Sequence, residues 1–393
     1  MISHFCIGES HKATDKPCQD YSYAEQNDTL SMAIVCDGHG GERYFRSQYG
    51  AEFAANITKD AIKSFVENMS QSSWCGNRSS VFENAPFTGY SSADSSEQQA
   101  SSNAHKALQW LFASIISQWN QKIAEHALLN DLNEWEQAHV EEKYREEFIA
   151  KRSLPDATFE KTYGCTLMAY VQTPSYWFAF HLGDGKCVMF TTVDEQLKAE
   201  QPIPWDERCF LNKTTSICDS QALDEFRYCY QGDGTFPLAV FLGSDGIDDS
   251  YGDGDNLTNF YIEIYKLLLK KDYPRALKEI KKVLPVISAR GSKDDMSIAV
   301  VFDDHNPGKI FDILTEYQRQ RLDDQMTAAI HKLEQLNAKV ESFGDPQSLD
   351  SSALINLNYA QKDIEKVQKQ IERVKKRKSV LKGEVTSFNK KHK

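Results

Sequence analysis

No run of about 18 apolar residues occurs in this 393-residue chain, so no membrane-spanning helix is expected. The short apolar stretch Met1–Gly8 has no basic lead-in, so no secretory signal is read there and a cytoplasmic protein is expected. No CxxC pair is present. The nine cysteines are scattered, and Cys18, Cys36, Cys165 and Cys187 sit in or beside strand-like runs, which speaks against a disulfide framework and a zinc site. Positive charge is also short: 45 Lys and Arg against 57 Asp and Glu give a net charge of −12, which argues against general nucleic-acid binding.

What is present is enough for a real core, with 40% hydrophobic and 11% aromatic residues. Strand-like runs at Ile2–Ile7 and Ser31–Cys36 come first, the second ending directly in Asp37-Gly38-His39-Gly40-Gly41. Helical spacing follows at Phe45, Tyr49, Phe53 and Ile57, and again at Leu108, Leu111, Ile115 and Trp119. Between them residues 71–103 hold ten serines in 33 positions and read as a mobile inserted loop. Residues 128–160 are charged and helix-prone, read as an exposed extension of the second helix. Thr166–Val171, Tyr176–Leu182 and Lys186–Thr192 read as an antiparallel meander, with further strands at Leu238–Leu242 and Ser297–Phe302. The chain thus mixes antiparallel sheet with helical layers, an α+β class.

Beyond Asn306-Pro307-Gly308 two long helices are expected. Leu322, Met326, Ala329, Leu333, Leu336 and Val340 recur at coiled-coil spacing, as do Leu357, Ala360, Ile364, Val367, Ile371 and Val374. Lys378 takes one seam position. An antiparallel hairpin or an intermolecular dimer would bury this seam equally, so a protein partner or self-association is kept as an expectation. The stretch from Lys362 to Lys393 carries twelve Lys or Arg against four Asp or Glu. A solvated helix face explains that charge better than a lipid or nucleic-acid anchor.

Acidic clusters sit at strand ends or tight turns: Gln19-Asp20, Asp37–Gly41, Gly243–Asp249 and Lys293–Met296. Each alone reads as an ordinary Asp-Gly turn. Together they point to carboxylates converging on one sheet rim. Carboxylates without clustered His or Cys select hard cations, Mn2+ or Mg2+, over zinc. Two such ions about 3.5 to 4 Å apart share an aspartate, generate hydroxide from water and clamp phosphoryl oxygens.

The motifs Gln19-Asp20, Val35–Gly41, Gly164-Cys165-Thr166, Leu182–Gly185, Ser244–Asp249 and Asp294–Ser297, in that order, make residues 1–305 resemble the metal-dependent protein phosphatases of type 2C. The resemblance implies a four-layer α-β-β-α sandwich of two mainly antiparallel sheets flanked by helices, to which a C-terminal coiled-coil hairpin, residues 306–393, is added. It implies hydrolysis of phosphoserine and phosphothreonine in a protein substrate. Asp37 would bridge two metals, the Gly38 carbonyl would bind one, and Asp245 and Asp294 would complete the other site. Asp20 would act through metal-bound water, and Asp184 and Asp249 match the positions of a weaker third ion. His39 matches the histidine that protonates the leaving oxygen.

Some positions depart from the family pattern. Gln19 stands where glutamate is common, and Asp295 where asparagine is. The arginine that often binds substrate phosphate is missing from Glu9–Cys18, leaving Lys12 or Lys16 as point charges without a bidentate fork. That absence keeps a non-catalytic phosphoprotein-binding scaffold as the alternative reading.

Overall fold

Period-two alternation in the apolar runs divides this chain's side chains between separate cores. Every residue of β3 (Ser31–Cys36) is buried. Ala33 and Val35 join Met168, Tyr170, Val240, Leu242, Ala299 and Val301 in one cluster. Met32, Ile34 and Cys36 point the other way, into a cluster with Ala54, Ile62, Leu108, Phe112 and Trp119. A strand buried on both faces needs a sheet on one side and helices on the other.

The structure, a computed structural model, describes residues 1–69, 74–76, 79–82, 95–209, 213–252, 254–344 and 350–391. It divides into two compact units, Met1–Thr191 with Lys198–Asp303, and Thr192–Leu197 with Asp304–Lys393. One sheet runs in the order β1 (Ile2–Cys6), β11 (Met296–Phe302), β10 (Ala239–Gly243), β7 (Lys186–Val193) and β8 (Gln196–Glu200). The other runs β2 (Tyr21–Gln26), β3, β5 (Leu167–Gln172), β6 (Trp177–Leu182), β9 (Arg227–Gln231) and β4 (Ser79–Phe82). The pairs β1–β11, β11–β10, β10–β7, β2–β3, β3–β5, β5–β6, β6–β9 and β9–β4 are antiparallel.

Helices Ser47–Asn68 and Ser95–Leu129 cover the outer face of the second sheet. There Phe112 meets Phe180 at 5.1 Å, and Trp119 Nε1 donates to the Gly50 carbonyl at 3.0 Å. Helices Gly254–Lys270 and Tyr273–Arg290 cover the first, with Tyr261 stacked on Phe241 at 4.7 Å. The layers are therefore helix, sheet, sheet, helix.

Two expectations change. The second helix does not run on through the charged segment but stops at Leu129, and separate helices follow at Glu134–His139 and Glu142–Lys151. Asn133 starts a new helix with a reciprocal capping box to Glu136, and Glu136 is fully buried rather than exposed. Within the serine-rich stretch, Ser79–Phe82 pairs with β9 as an edge strand and helix begins at Ser95. Trp74 and Cys75 of that expected loop are buried, and its residues 71–73, 77–78 and 83–94 lie outside the described residues.

In the C-terminal unit the helices Pro307–Ser342 and Ser351–Lys391 lie antiparallel. Phe311 near the start of one stacks on Phe388 near the end of the other at 4.0 Å. Leu322, Ala329, Leu357, Ala360, Val367 and Val374 are buried along the seam, and Lys378 is hydrogen-bonded across it to Asp323. The hairpin alternative is the one adopted.

Two glycine substitutions in helices should shift stability in opposite directions. A Cβ on Gly50 would lie 1.8 Å from the Tyr163 carbonyl oxygen, so Gly50→Ala should cost roughly 1–3 kcal/mol and lower the melting temperature by several degrees. Gly383 has open space around it, and Gly383→Ala should add about 0.5–1 kcal/mol to its helix. Thermal and urea unfolding of the two variants would check both signs.

Candidate active site

Strand register alone assembles the acidic residues. β2 pairs Tyr21 with Cys36 of β3, so Asp20, one residue before, lies beside Asp37, one residue after. β3 pairs Val35 with Met168 of β5, which delivers Thr166 to Asp37. The Asp37 N–H donates to Thr166 Oγ1 at 3.0 Å and the Thr166 N–H to the Asp37 carbonyl at 2.8 Å. β5 pairs Leu167 with Leu182, so Asp184 emerges at the same end. In the other sheet Gly243 of β10 faces both Lys186 and Ile298, which places Asp245 and Asp294 there too. Asp20, Asp37, Asp184, Asp245, Asp249 and Asp294 all line one cleft of about 720 Å³ together with Gly38 and His39.

These carboxylates repel one another. Burial pushes the Asp20 carboxyl well up, and neighbouring Asp295 adds to the rise while the nearby Ser244 and Ser297 hydroxyls oppose it. Burial likewise pushes Asp37 well up, with Asp20 and Asp245 repelling its charge. Asp245 is raised to about 7, by burial foremost, while a hydrogen bond from Asp37 pulls the other way. Asp184 and Asp249 are raised by burial as well. Asp294 sits exposed at the rim, and Asp248 turns aside to Lys186 at 2.7 Å.

Asp295 behaves differently. It accepts the Gly8 and Gln19 N–H groups at 2.6 Å each and is 2.9 Å from His11 Nδ1; despite burial, these bonds hold its carboxyl below the usual range. It ties the first residues of the chain to the rim, which gives the departure from asparagine a structural role. Gln19 fixes the neighbouring loop: its amide donates to Ser47 Oγ, Ser47 Oγ donates to the His39 carbonyl, and Gly38 N–H donates to the Gln19 carbonyl at 3.1 Å. A Cβ on Gly38 would come within 2.6 Å of that carbonyl oxygen, so only glycine fits.

His39 opens onto the cleft, but its ring packs edge-on against Tyr44 at 4.8 Å and its Nε2 lies 2.7 Å from Ser216 Oγ. Ser216 Oγ donates to the Cys165 carbonyl, so the network assigns the Nε2 proton to His39 and leaves Nδ1 unprotonated. Burial lowers its pKa to about 4, with Asp219 opposing the shift. The imidazole is neutral at pH 7.

The two candidate phosphate lysines separate. Lys16 lines the cleft and donates to the Gly40 carbonyl at 2.5 Å, whereas Lys12 reaches Glu9 at 3.5 Å and does not line it. Sequence reading missed Ser10, His11, Thr214, Trp135 and His139, all on the cleft wall, and Ser216 behind His39. Only His11, close before Gln19-Asp20, had a local signal.

The residues present fit divalent cations. The donor set is oxygen throughout, no cationic side chain among the described residues bonds to Asp20, Asp37 or Asp245, and Asp20 Oδ2 and Gln19 Oε1 are buried without a hydrogen-bond partner. A buried orphan acceptor beside mutually repelling carboxylates calls for a bound positive charge. His11, Asp294 and Asp295 also place ligand atoms within 4.8 Å of one another, but both Asp295 oxygens are already engaged by N–H donors.

A family model described as protein phosphatase 2C matches residues 7–284. Solved structures similar in fold include serine/threonine phosphatase Stp1 from Staphylococcus aureus, at 15% identity over 77% of this chain and 94% of that one, TM-score 0.41. The serine/threonine phosphatase of S. agalactiae matches at 15% identity over 76% and 97%, TM-score 0.39. A sex determining protein of C. elegans matches at 15% identity over 79% and 66%, TM-score 0.41. No curated protein matches the sequence.

Asp245 holds its proton up to about pH 7 in the fold but only near 3.8 when unfolded. The metal-free protein should therefore lose stability as pH rises from about 3.8 to about 7, regain it as pH falls through that window, and change little above 7, where this carboxyl is ionised in both states. With Mn2+ bound the trend should reverse, because protons compete with the ion. Asp245→Asn should raise the melting temperature of chelator-treated protein at pH 8 and remove most of the stabilisation by Mn2+. Thermal melts at pH 6 and 8, with and without chelator, would read both effects.

Proposed function

The chain belongs to the protein phosphatase 2C family, and from that premise we infer that it hydrolyses phosphoserine and phosphothreonine esters in protein substrates with the help of Mn2+ or Mg2+. The observation that carries the reading is the convergence of seven aspartates on one cleft, with a buried carboxylate oxygen of Asp20 left unpartnered.

Asp37, the Gly38 carbonyl, Asp245 and Asp294 would hold the cations, Asp20 would support them indirectly through water, and Asp184 and Asp249 would serve a third. When bound, such ions supply Lewis acidity that makes water nucleophilic at neutral pH and offsets charge on the phosphoryl oxygens. The chain's own groups do the rest. Thr166 and Gln19 fix the loop that carries Asp37 and Gly38. Ser216 holds one face of His39, so its Nδ1 is the atom left to exchange a proton with the leaving serine or threonine oxygen. A phosphate dianion nearby opposes the effect of burial and raises the imidazole toward the protonated form it needs as an acid. Lys16, beside the Gly40 carbonyl, is the cation available to substrate phosphate in the arginine's absence. None of the nine thiols is needed as a nucleophile. Burial pushes Cys36 and Cys165, the pair flanking this loop, well up.

Nine free cysteines fit a reducing compartment, and we place the protein in the cytoplasm. No helix among the described residues is long and apolar enough to cross a membrane. The coiled-coil seam is filled within the hairpin. Association with a second copy or another protein would use its outer faces, where Ile355, Tyr359 and Val380 are exposed.

Hydrolysis of a phosphothreonine peptide and of para-nitrophenyl phosphate, with Mn2+, Mg2+ or chelator, tests the reading. Asp37→Asn and Asp245→Asn should fall to the level of the chelated native protein on both substrates. His39→Gln should cost roughly a hundredfold on the peptide and far less on the nitrophenyl ester, whose leaving group departs without a proton. Undiminished turnover in Asp37→Asn, or in chelator, would contradict the account.

A further inference from the structure

We propose that the Glu134–His139 helix and the Glu42 turn build a specificity subsite beside the catalytic carboxylates, and that it takes a basic side chain, arginine above all, flanking the phosphorylated residue of the substrate. The inference rests on the phosphatase reading and adds to it the class of substrate.

Placement comes first. Trp135, His139 and Val140 line the same cleft as Asp37 and Asp245, as do Glu42 and Phe45. The segment that carries them is held to the catalytic loop by Arg46, five residues beyond Gly41. Arg46 Nε and Nη2 donate to the Glu136 carboxylate at 2.7 and 2.9 Å, Nη1 to Tyr163 Oη at 3.1 Å, and Nη2 to the Asp131 carbonyl at 2.8 Å. Its guanidinium also lies over the Phe148 ring at 4.5 Å, and both charged residues are fully buried. A buried ion pair contributes little net stability against apolar packing, but it fixes one geometry, because either charge left alone is heavily penalised. The wall is thus held rigidly relative to the metal loop.

Chemistry comes next. The Trp135 and His139 rings stack at 5.1 Å with an interplanar angle of 18°, Trp135 half-buried and His139 exposed. His139 Nδ1 donates to the Trp135 carbonyl at 3.0 Å, which holds the second ring flat. A flat aromatic platform beside a carboxylate is a receptor for a planar guanidinium.

Charge then decides the sign. The cleft is lined by eight carboxylates and one ammonium, Lys16. With all eight ionised, two divalent cations offset four of the seven excess negative charges and a third brings that to six, so the site still attracts a cation and repels an acidic flank. The outer surface of the segment adds exposed Glu134, Glu142 and Glu146, while Glu141 and Glu147 are paired with Lys143 and Lys151 and Arg145 donates to the Gln137 carbonyl. Without an arginine to clamp the phosphate, binding energy drawn from a flanking residue has more to contribute.

The test is kcat/KM, with the full chain in Mn2+, for three phosphothreonine peptides that differ only in carrying Arg, Ala or Glu at the flanking positions; para-nitrophenyl phosphate reports the catalytic centre. The native protein should prefer the Arg peptide over the Glu peptide by tenfold or more, chiefly through KM. Trp135→Ala and, independently, the surface variant Glu42→Gln should each cut that ratio at least threefold, and Trp135→Phe should restore most of it. A ratio near one in the native protein, or a ratio unchanged in both variants, would overturn the subsite while turnover of the nitrophenyl ester left the phosphatase reading standing. Absence of turnover on every substrate would bring down the phosphatase reading and the subsite with it.

Discussion

Repulsion among aspartates crowded at one end of two sheets is the constraint to which the rest of this structure answers. Asp20, Asp37 and Asp245 all have carboxyls raised by burial and by neighbouring carboxylates, so the metal-free fold carries a penalty at neutral pH. Sheet register leaves no escape, because each acid is fixed by the strand beside it. The hydroxyls of Ser244 and Ser297 relieve part of the cost at Asp20, and Asp295 fastens the chain's first residues across the rim. A region that is unfavourable alone and favourable with cations is what a metal-dependent site requires.

The same loop that carries Asp37 also sets what surrounds it. Gly38, Gln19, Ser47 and His39 form a short hydrogen-bonded circuit, and Arg46 extends that circuit to Glu136 and the helices beyond. Catalytic loop and cleft wall are therefore one mechanical unit. Lys16 is the ammonium on the cleft and the wall is acidic and aromatic, the features on which the proposed flanking-residue subsite rests.

Much of this was legible in the sequence. Apolar runs that end in Asp-Gly gave strand ends, and antiparallel order put those ends together. The coiled-coil spacing gave the two C-terminal helices, although hairpin and dimer share the same spacing and contacts such as Phe311 on Phe388 and Lys378 to Asp323 separate them. Contacts between distant positions were not legible. Glu136 read as one more exposed acid in a charged helix, and only Arg46, ninety positions earlier, makes it a core residue. Ser216 meets His39 across 177 positions with no motif to announce it. Lys12 and Lys16 looked equivalent, but the turn of a short helix sends Lys12 to Glu9 and leaves Lys16 on the cleft.

The most direct test of the central claim, that buried carboxylates hold protons until cations replace them, is calorimetric titration of Mn2+ into the chelator-stripped protein near pH 7 in two buffers of different ionisation enthalpy. The account predicts net proton release on binding, visible as a buffer-dependent heat, and loss of both binding and release in Asp37→Asn. Tight binding with no proton release, or binding undiminished in Asp37→Asn, would contradict it.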